Sequence, residues 1–183
     1  MATKTLMTVK DYAALDEPAG VRCELSNGEL IVTPSSSTFH NLIRDDFNSH
    51  LRIFAKARKL GVVVSETGMT LVGEVARKPD IAFIRAQRLE GVNLDQSPLP
   101  VSPDLAIEIV SKNDRADDLL LKVFQYLEAG AQAVWLMYLN TRLAYRYLPG
   151  KRQPEVRAAD TGDKFEEPEL LPGFSLLLSE ILG

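Results

Sequence analysis

Asp80, Glu108 and Lys122 are the residues of this chain whose types and spacing point to chemistry. Asp80 opens the short run D-I-A-F-I, and Glu108 lies inside D-L-A-I-E-I-V, residues 104–110. Both runs read as buried strands. A carboxylate inside an apolar strand is costly to bury unless it has a partner or a task. Side chains alternate along a strand, so Asp80, Ala82 and Ile84 share one face, and Asp104, Ala106, Glu108 and Val110 share another. A small alanine beside each acid leaves room for something other than a packed side chain. Lys122 lies eight residues into a helix expected from about Asp114, or roughly 12 Å along its axis. Glu108 stands two residues before the end of its strand, roughly 7 Å back. A helix returning over the sheet therefore brings the two to one level, and a lysine reaches most of the ~10 Å between layers. Two carboxylates can hold Mg²⁺, which prefers hard oxygen ligands. The metal polarises a phosphoryl oxygen and lowers the pKa of a bound water. The lysine orients or activates that water, or stabilises charge on the transition state.

The elements that must position these residues follow from pattern. A helix spans about Thr8 to Leu15, capped by Thr8. Two apolar-rich arms flank Ser26-Asn27-Gly28, a strong hairpin signal. From Thr38 to Leu60 the residues Phe39, Leu42, Ile43, Phe47, Leu51 and Phe54 recur at helical spacing, and Gly61 ends the run. Val62–Glu66 and Met69–Glu74 read as a second hairpin around Thr67-Gly68. Arg85 to Pro103 is a long, proline-bearing loop. Asn113 or Asp114 is expected to cap the helix striped by Leu119, Leu120, Val123, Phe124 and Leu127, and Gly130 to end it. AVWLMYL and RLAYRYL form a last hairpin. Lys151–Pro168 is polar and loop-like, and LLPGFSLLLSEIL packs back on the core. A strand–helix–strand unit within mixed order gives an α/β or mixed α+β fold with one central mixed sheet.

The composition is ordinary for a globular protein: 183 residues, 45% hydrophobic and 25% charged. The length suits one domain with a sizeable core. One cysteine excludes a disulfide framework and a Cys-rich zinc site, and two histidines exclude a His-rich metal site. A net charge of −4 excludes polyanion binding by bulk charge, so any nucleic-acid contact needs a local basic patch. There is no run of membrane-span length and no apolar core of signal-peptide type. A cytoplasmic protein is expected.

The ordered set Pro79-Asp80, Glu108 in an apolar strand and Lys122 resembles the PD-(D/E)xK nuclease superfamily. More specifically, the chain is similar to the Uma2 family of restriction-endonuclease-like proteins. The matching segments are ELSNGELIVTPSSSTFH, KPDIAFI, SPDLAIEIVSKNDRADDLLLKVFQYLEAGAQAVWL and ELLPGFSLLL, nearly the whole chain between residues 20 and 180. The resemblance implies a single restriction-endonuclease-like domain with an N-terminal helix and hairpin (8–34), a nuclease core (38–148) and a C-terminal tail (151–183). It implies Mg²⁺- or Mn²⁺-dependent hydrolysis of phosphodiester bonds in nucleic acid, DNA before RNA, by a homodimer. Asp80 and Glu108 would bind metal together with the backbone carbonyl of Ile109. The superfamily lysine two residues after the acid would fall at Val110, so Lys122 in the following helix takes that part. Glu29 and His40 match two additional polar positions. The chain departs from the family at Ser111-Lys112, which offers Lys112 as a competing lysine, at Gly130–Trp135, and near Tyr138–Asn140, where an acid is missing.

Plainer roles stand beside these. Glu108 and Lys122 could form a buried ion pair without catalysis. Asp104 after Pro103 reads as a structural acid at a strand start or turn. His40 could be a core or capping histidine. Arg52, Lys56, Arg58 and Lys59 suit a solvated helix end. They could also meet phosphates, as could Arg77, Lys78, Arg85 and Arg88. The alternative to an enzyme is a catalytically silent nuclease-fold module that binds DNA or a protein.

Overall fold

The computed structural model describes residues 6–183. The first five residues of the stretch read for an export signal lie outside it. Helix α1 (Val9–Ala13) begins at Thr8, whose hydroxyl and amide trade hydrogen bonds with Asp11 in a capping box. Strands β1 (Val21–Ser26) and β2 (Glu29–Pro34) form the expected hairpin. Asn27 and Gly28 both have positive φ, 50° and 80°, as the tight primed turn requires. Helix α2 (Thr38–Ala57) starts at Ser37, whose side chain accepts from the His40 amide.

Then follow β3 (Gly61–Ser65), β4 (Met69–Thr70), β5 (Ala76–Arg77) and β6 (Ile81–Arg85). After an irregular stretch come β7 (Leu105–Val110), α3 (Ala116–Glu128), β8 (Ala133–Tyr138) and β9 (Leu143–Tyr147). The chain finishes with β10 (Glu155–Ala158), β11 (Lys164–Phe165), β12 (Leu176–Leu177) and α4 (Leu178–Leu182).

A mixed sheet of order β10-β9-β8-β7-β6-β3 forms the centre of this α/β fold. Only β7 and β8 run parallel, joined through α3, which is the strand–helix–strand unit read from sequence. A smaller sheet, β2-β1-β5-β4, stands beside it, and β11 pairs with β12. One face of the central sheet (Phe83, Leu105, Ile107, Trp135) packs on Phe47 and Leu51 of α2 and on the C-terminal residues Phe165, Leu171 and Leu178. The other face packs on α3 through Leu119, Val123 and Tyr126.

Several expectations change. The second hairpin does not form, because β3 pairs with β6 while β4 pairs with β5 in the other sheet. The apolar stripes of the helices are rotated from those read in sequence. Phe39 and Leu42 of α2 are 63% and 65% exposed and Phe124 of α3 is 58% exposed. The buried faces run instead through His40, Phe47, Leu51 and Ala55, and through Leu119, Val123, Gln125 and Tyr126. Helix α3 begins at Ala116 without a side-chain cap, because Asp114 accepts from the Ser111 amide instead. No open room remains beside the two alanines. Ala82 packs on Met69, Leu99 and Val101, and Ala106 on Leu119 and Val123. The tail is less loop-like than expected, since β10 extends the central sheet. Within it, buried Glu167 accepts from Trp135 Nε1 at 2.5 Å and from Arg146 Nη2 at 2.7 Å.

Candidate active site

The backbone brings the acids together. Antiparallel pairing sets Ile81 opposite Ile107 and Ala82 opposite Ala106. One step further along the same register, Asp80 stands opposite Glu108 on the same face of the sheet. Both are buried. The Ile109 amide donates to Asp80 Oδ2 at 2.6 Å, which ties the end of one strand to the start of the other.

Helix α3 returns over this face and delivers two groups one turn apart. Lys122 Nζ lies 3.5 Å from Glu108 Oε2, so the juxtaposition inferred from helix rise and strand length is present. Tyr126, at i+4, donates its hydroxyl to Glu108 Oε1 at 2.7 Å. From the opposite side α2 delivers His40. Its Nε2 lies 2.9 Å from the Ile109 carbonyl and 3.3 Å from Asp80 Oδ2. Both neighbours are acceptors, so Nε2 carries the proton. Nδ1 is buried without a partner.

The hairpin β1–β2 contributes residues that the sequence reading passed over. Glu24 is buried, and its Oε2 lies 3.0 Å from Lys122 Nζ, closer than Glu108 does. Its other contacts are Arg77 Nη1 at 3.2 Å, Arg22 Nη2 at 3.3 Å and the Lys78 amide at 2.8 Å. Arg22 reaches on to Asp80 Oδ1 at 3.1 Å and Glu66 Oε1 at 3.4 Å. Arg77 is held by Gln125 Oε1 at 2.8 Å and Ser26 Oγ at 3.0 Å. Of the two glutamates in this hairpin, Glu24 is the one buried against Lys122. Glu29 is exposed at the first position of β2, opposite Ser26. Lys112 is exposed in the turn after β7.

Arg52, Lys56, Arg58 and Lys59 are exposed on α2 and the turn after it, but the other four cations weighed as phosphate contacts have other engagements. Arg77 is buried, Lys78 pairs with Glu17, and Arg85 and Arg88 both grip Asp104. Asp104, directly before β7, keeps the structural role read for it and is a buried anchor for the two arginines.

Three neighbouring acids titrate in opposite directions. Burial drives Glu108 up to about 7; the Asp80 and Glu24 charges add to the rise, and Lys122 and Arg22 oppose it. Burial also works against the charges of Glu24 and Asp80, yet both are pulled down to about 2. For Glu24 the cause is Lys122, Arg22 and Arg77. For Asp80 it is His40, Arg22 and the Ile109 amide. Lys122 is raised, because Glu108 and Glu24 outweigh its own burial. His40 is raised too: its burial opposes the charge, but Asp80 and the Ile109 carbonyl outweigh that. Such a split among adjacent titratable groups is characteristic of sites where chemistry occurs.

The donor chemistry fits a hard divalent cation, since Asp80, Glu108 and the Ile109 carbonyl offer only oxygen. In the conformation seen, each of these oxygens faces a donor of the protein: Arg22, the Ile109 amide and His40 for Asp80, Tyr126 and Lys122 for Glu108, His40 for the carbonyl. Among the described residues, no group of three or more His, Cys, Asp or Glu side chains is arranged to hold a metal ion.

The comparisons agree with this architecture. The family model described as "Uma2: Putative restriction endonuclease" matches residues 9–179, and the chain belongs to the Uma2 family. The crystal structure of "a putative nuclease belonging to DUF820" from Anabaena variabilis ATCC 29413 is similar with a TM-score of 0.84 at 20% identity, over 96% of this chain and 97% of that one. The two share a fold. A DrdV–DNA complex matches 78% of this chain and 14% of its own at 15% identity and a TM-score of 0.35, a likeness too low to establish a common fold. No curated protein matches the chain. Among the described residues, no helix is long and apolar enough to cross a membrane.

Proposed function

We propose that the chain is a Mg²⁺- or Mn²⁺-dependent endonuclease that hydrolyses phosphodiester bonds in DNA. The observation that carries this reading is the convergence of Asp80, Glu108 and Lys122 at one end of the β6–β7 pair, with Lys122 Nζ 3.5 Å from Glu108 Oε2. Asp80, Glu108 and the Ile109 carbonyl would hold the metal, which would supply Lewis-acid polarisation of a phosphoryl oxygen. Lys122 keeps its proton between two carboxylates. It therefore acts as a donor, orienting the attacking water or stabilising charge on the phosphorane-like transition state, rather than as a base. His40 fixes the Asp80 carboxylate and the Ile109 carbonyl through Nε2. Tyr126 fixes the Glu108 rotamer. Glu29 stands outside the buried cluster, on the exposed strand. A homodimer is proposed on the family likeness, and a cytoplasmic location on the free cysteine, Cys23.

The test is cleavage of supercoiled plasmid and of single strands with Mg²⁺ and with Mn²⁺, for wild type, Asp80→Asn, Glu108→Gln, Lys122→Met and Lys112→Met. Metal-dependent cleavage that the first three variants lose supports the reading. If Lys112→Met loses activity and Lys122→Met keeps it, the lysine assignment is wrong. A second reading is favoured by the protein donors already set against Asp80, Glu108 and the Ile109 carbonyl: a catalytically silent module that binds DNA or a protein. It takes over if the wild type cuts nothing while still retarding DNA in a gel.

A further inference from the structure

Two arginines serve the same acid, and they differ in how well they are held. Arg77 has a partner for each of its three guanidinium nitrogens: Gln125 Oε1 at 2.8 Å, Glu24 Oε2 at 3.2 Å and Ser26 Oγ at 3.0 Å. Its side chain is 2% exposed. Arg22 meets three carboxylates, Asp80 at 3.1 Å, Glu24 at 3.3 Å and Glu66 at 3.4 Å. Its Nε is buried without a partner, and its side chain is 12% exposed. A buried donor left unsatisfied costs free energy. Arg77 is thus a fully satisfied anchor, whereas Arg22 is a cation in place chiefly for its charge.

The contacts of Arg22 are also largely duplicated. Glu24 Oε1 keeps the Lys78 amide if Arg22 leaves. Glu66 Oε1 keeps Arg44 Nη1 at 3.2 Å. Asp80 Oδ2 keeps the Ile109 amide and His40. Asp80 Oδ1 is the one oxygen for which, among the described residues, Arg22 is the recorded partner. Moving the guanidinium therefore frees one carboxylate oxygen of the proposed metal ligand and leaves the other carboxylates served. Glu66, already 3.4 Å from the same Nη1, is the resting place toward solvent: its side chain is 34% exposed, against 5% for Glu24, and Arg44 lies beside it.

We propose that the Arg22 guanidinium is the resident cation of this site, occupying Asp80 Oδ1 in the metal-free protein and shifting toward Glu66 when a divalent cation binds. This rests on the metal-dependent reading above. Arg22 would set the metal affinity of the site by direct competition, a role that neither its burial nor its ion pairs alone would give it.

The test is Mn²⁺ binding by isothermal titration, and thermal melting in EDTA and in Mn²⁺, on the whole chain. Arg22→Gln keeps hydrogen-bonding capacity and removes the competing charge. It is expected to melt lower than wild type in EDTA, to gain more from Mn²⁺, and to bind Mn²⁺ about tenfold tighter, as loss of a nearby like charge allows. Arg44→Gln removes a charge that touches Glu66 but not Asp80, and a change of about threefold at most is expected from screening. Arg22→Lys keeps the charge but cannot span Asp80 and Glu24 with a planar fork, so a rise between the two is expected. That variant carries the test if Arg22→Gln does not fold. If wild type binds Mn²⁺ in an Asp80-dependent way and neither Arg22 variant binds tighter, the exchange is refuted while the metal reading stands. If Arg44→Gln matches Arg22→Gln, the effect is general electrostatics and the exchange is again refuted. If no variant shows Mn²⁺ binding that Asp80→Asn removes, the metal reading itself fails and the proposal goes with it.

Discussion

The β6–β7 pair carries a buried acid at one end and two at the other, and the protein surrounds them differently. Asp104 meets the Arg85 amide at 2.9 Å, Arg85 Nε and Nη2 at 2.8 Å each, and Arg88 Nη1 at 3.3 Å. One acid faces two forked cations, and Arg88 goes on to Ser102 Oγ at 2.9 Å. Neither Asp104 nor its arginines holds a buried polar atom without a partner. At the opposite end Asp80 and Glu108 meet Glu24, Arg22, Lys122 and His40, and both Arg22 Nε and His40 Nδ1 are orphaned. There one carboxyl is driven up to about 7 while its neighbours are held down to about 2. Buried acids on one strand pair thus serve two ends: complete pairing pins an irregular segment to the sheet, and incomplete pairing with split titration marks the place where chemistry is expected.

The contrast can be broken most sharply by Asp80→Asn. Cleavage is expected to fall by about a thousandfold, or about 4 kcal/mol in barrier. A loss under tenfold in a steady-state assay contradicts the assignment.

Glu24→Gln comes next, and it has a pH signature. The Glu24 carboxyl sits at about 2 in the folded protein, below its ordinary value of 4.5. Its contribution is therefore present above pH 4.5 and is lost as pH falls toward 2. The variant is expected to lose about 4 kcal/mol at pH 7, within the range for breaking a buried ion pair. The gap between the two denaturation curves should close as the pH drops from 4.5 toward 2. A gap constant across that window would show that Glu24 acts by packing.

Asp104→Ala is expected to cost about 3 kcal/mol in chemical denaturation, the low end for a broken buried pair because Arg85 and Arg88 can turn to water. Cleavage per folded molecule should stay within twofold. The smallest effect is Tyr126→Phe, which removes one buried hydrogen bond to Glu108. About 1 kcal/mol of stability is expected to go with it, read as a shift in denaturation midpoint.

The end with the split titration was partly legible in the sequence. Glu108 stood out because a mid-strand acid between isoleucines has few explanations, Asp80 because it opens an apolar run, and helix rise and strand length placed Lys122 beside Glu108. Glu24 and Arg22 did not stand out. In β1 the polar residues Arg22, Glu24 and Ser26 alternate with Val21, Cys23 and Leu25, the pattern of any hairpin with one wet face. Only the packing of Lys122 and Gln125 of α3 against that face turns it inward. Tyr126 was hidden for a related reason. The apolar positions of α3 cover more than one face, and Phe124 at the wrong angle looks as buriable as Tyr126 at the right one. The succession of β6, β7, α3, β8 and β9 along the chain followed from hydrophobic pattern and turn residues, but their order in the sheet did not. Nor did the division of β3 and β4 between two sheets, because alternation says that a strand is half-buried but not which sheet it joins.

The most direct test of the contrast between the two ends measures cleavage per folded molecule and denaturation midpoint together, for wild type, Asp80→Asn and Asp104→Ala, with Mg²⁺ present. The expected result is a crossed pattern: Asp80→Asn loses cleavage by about a thousandfold and remains folded, while Asp104→Ala loses stability and cleaves like wild type once corrected for its folded fraction. If both variants lose stability alike and cleavage follows only the folded fraction, the acids at both ends are structural and the active-site assignment is contradicted.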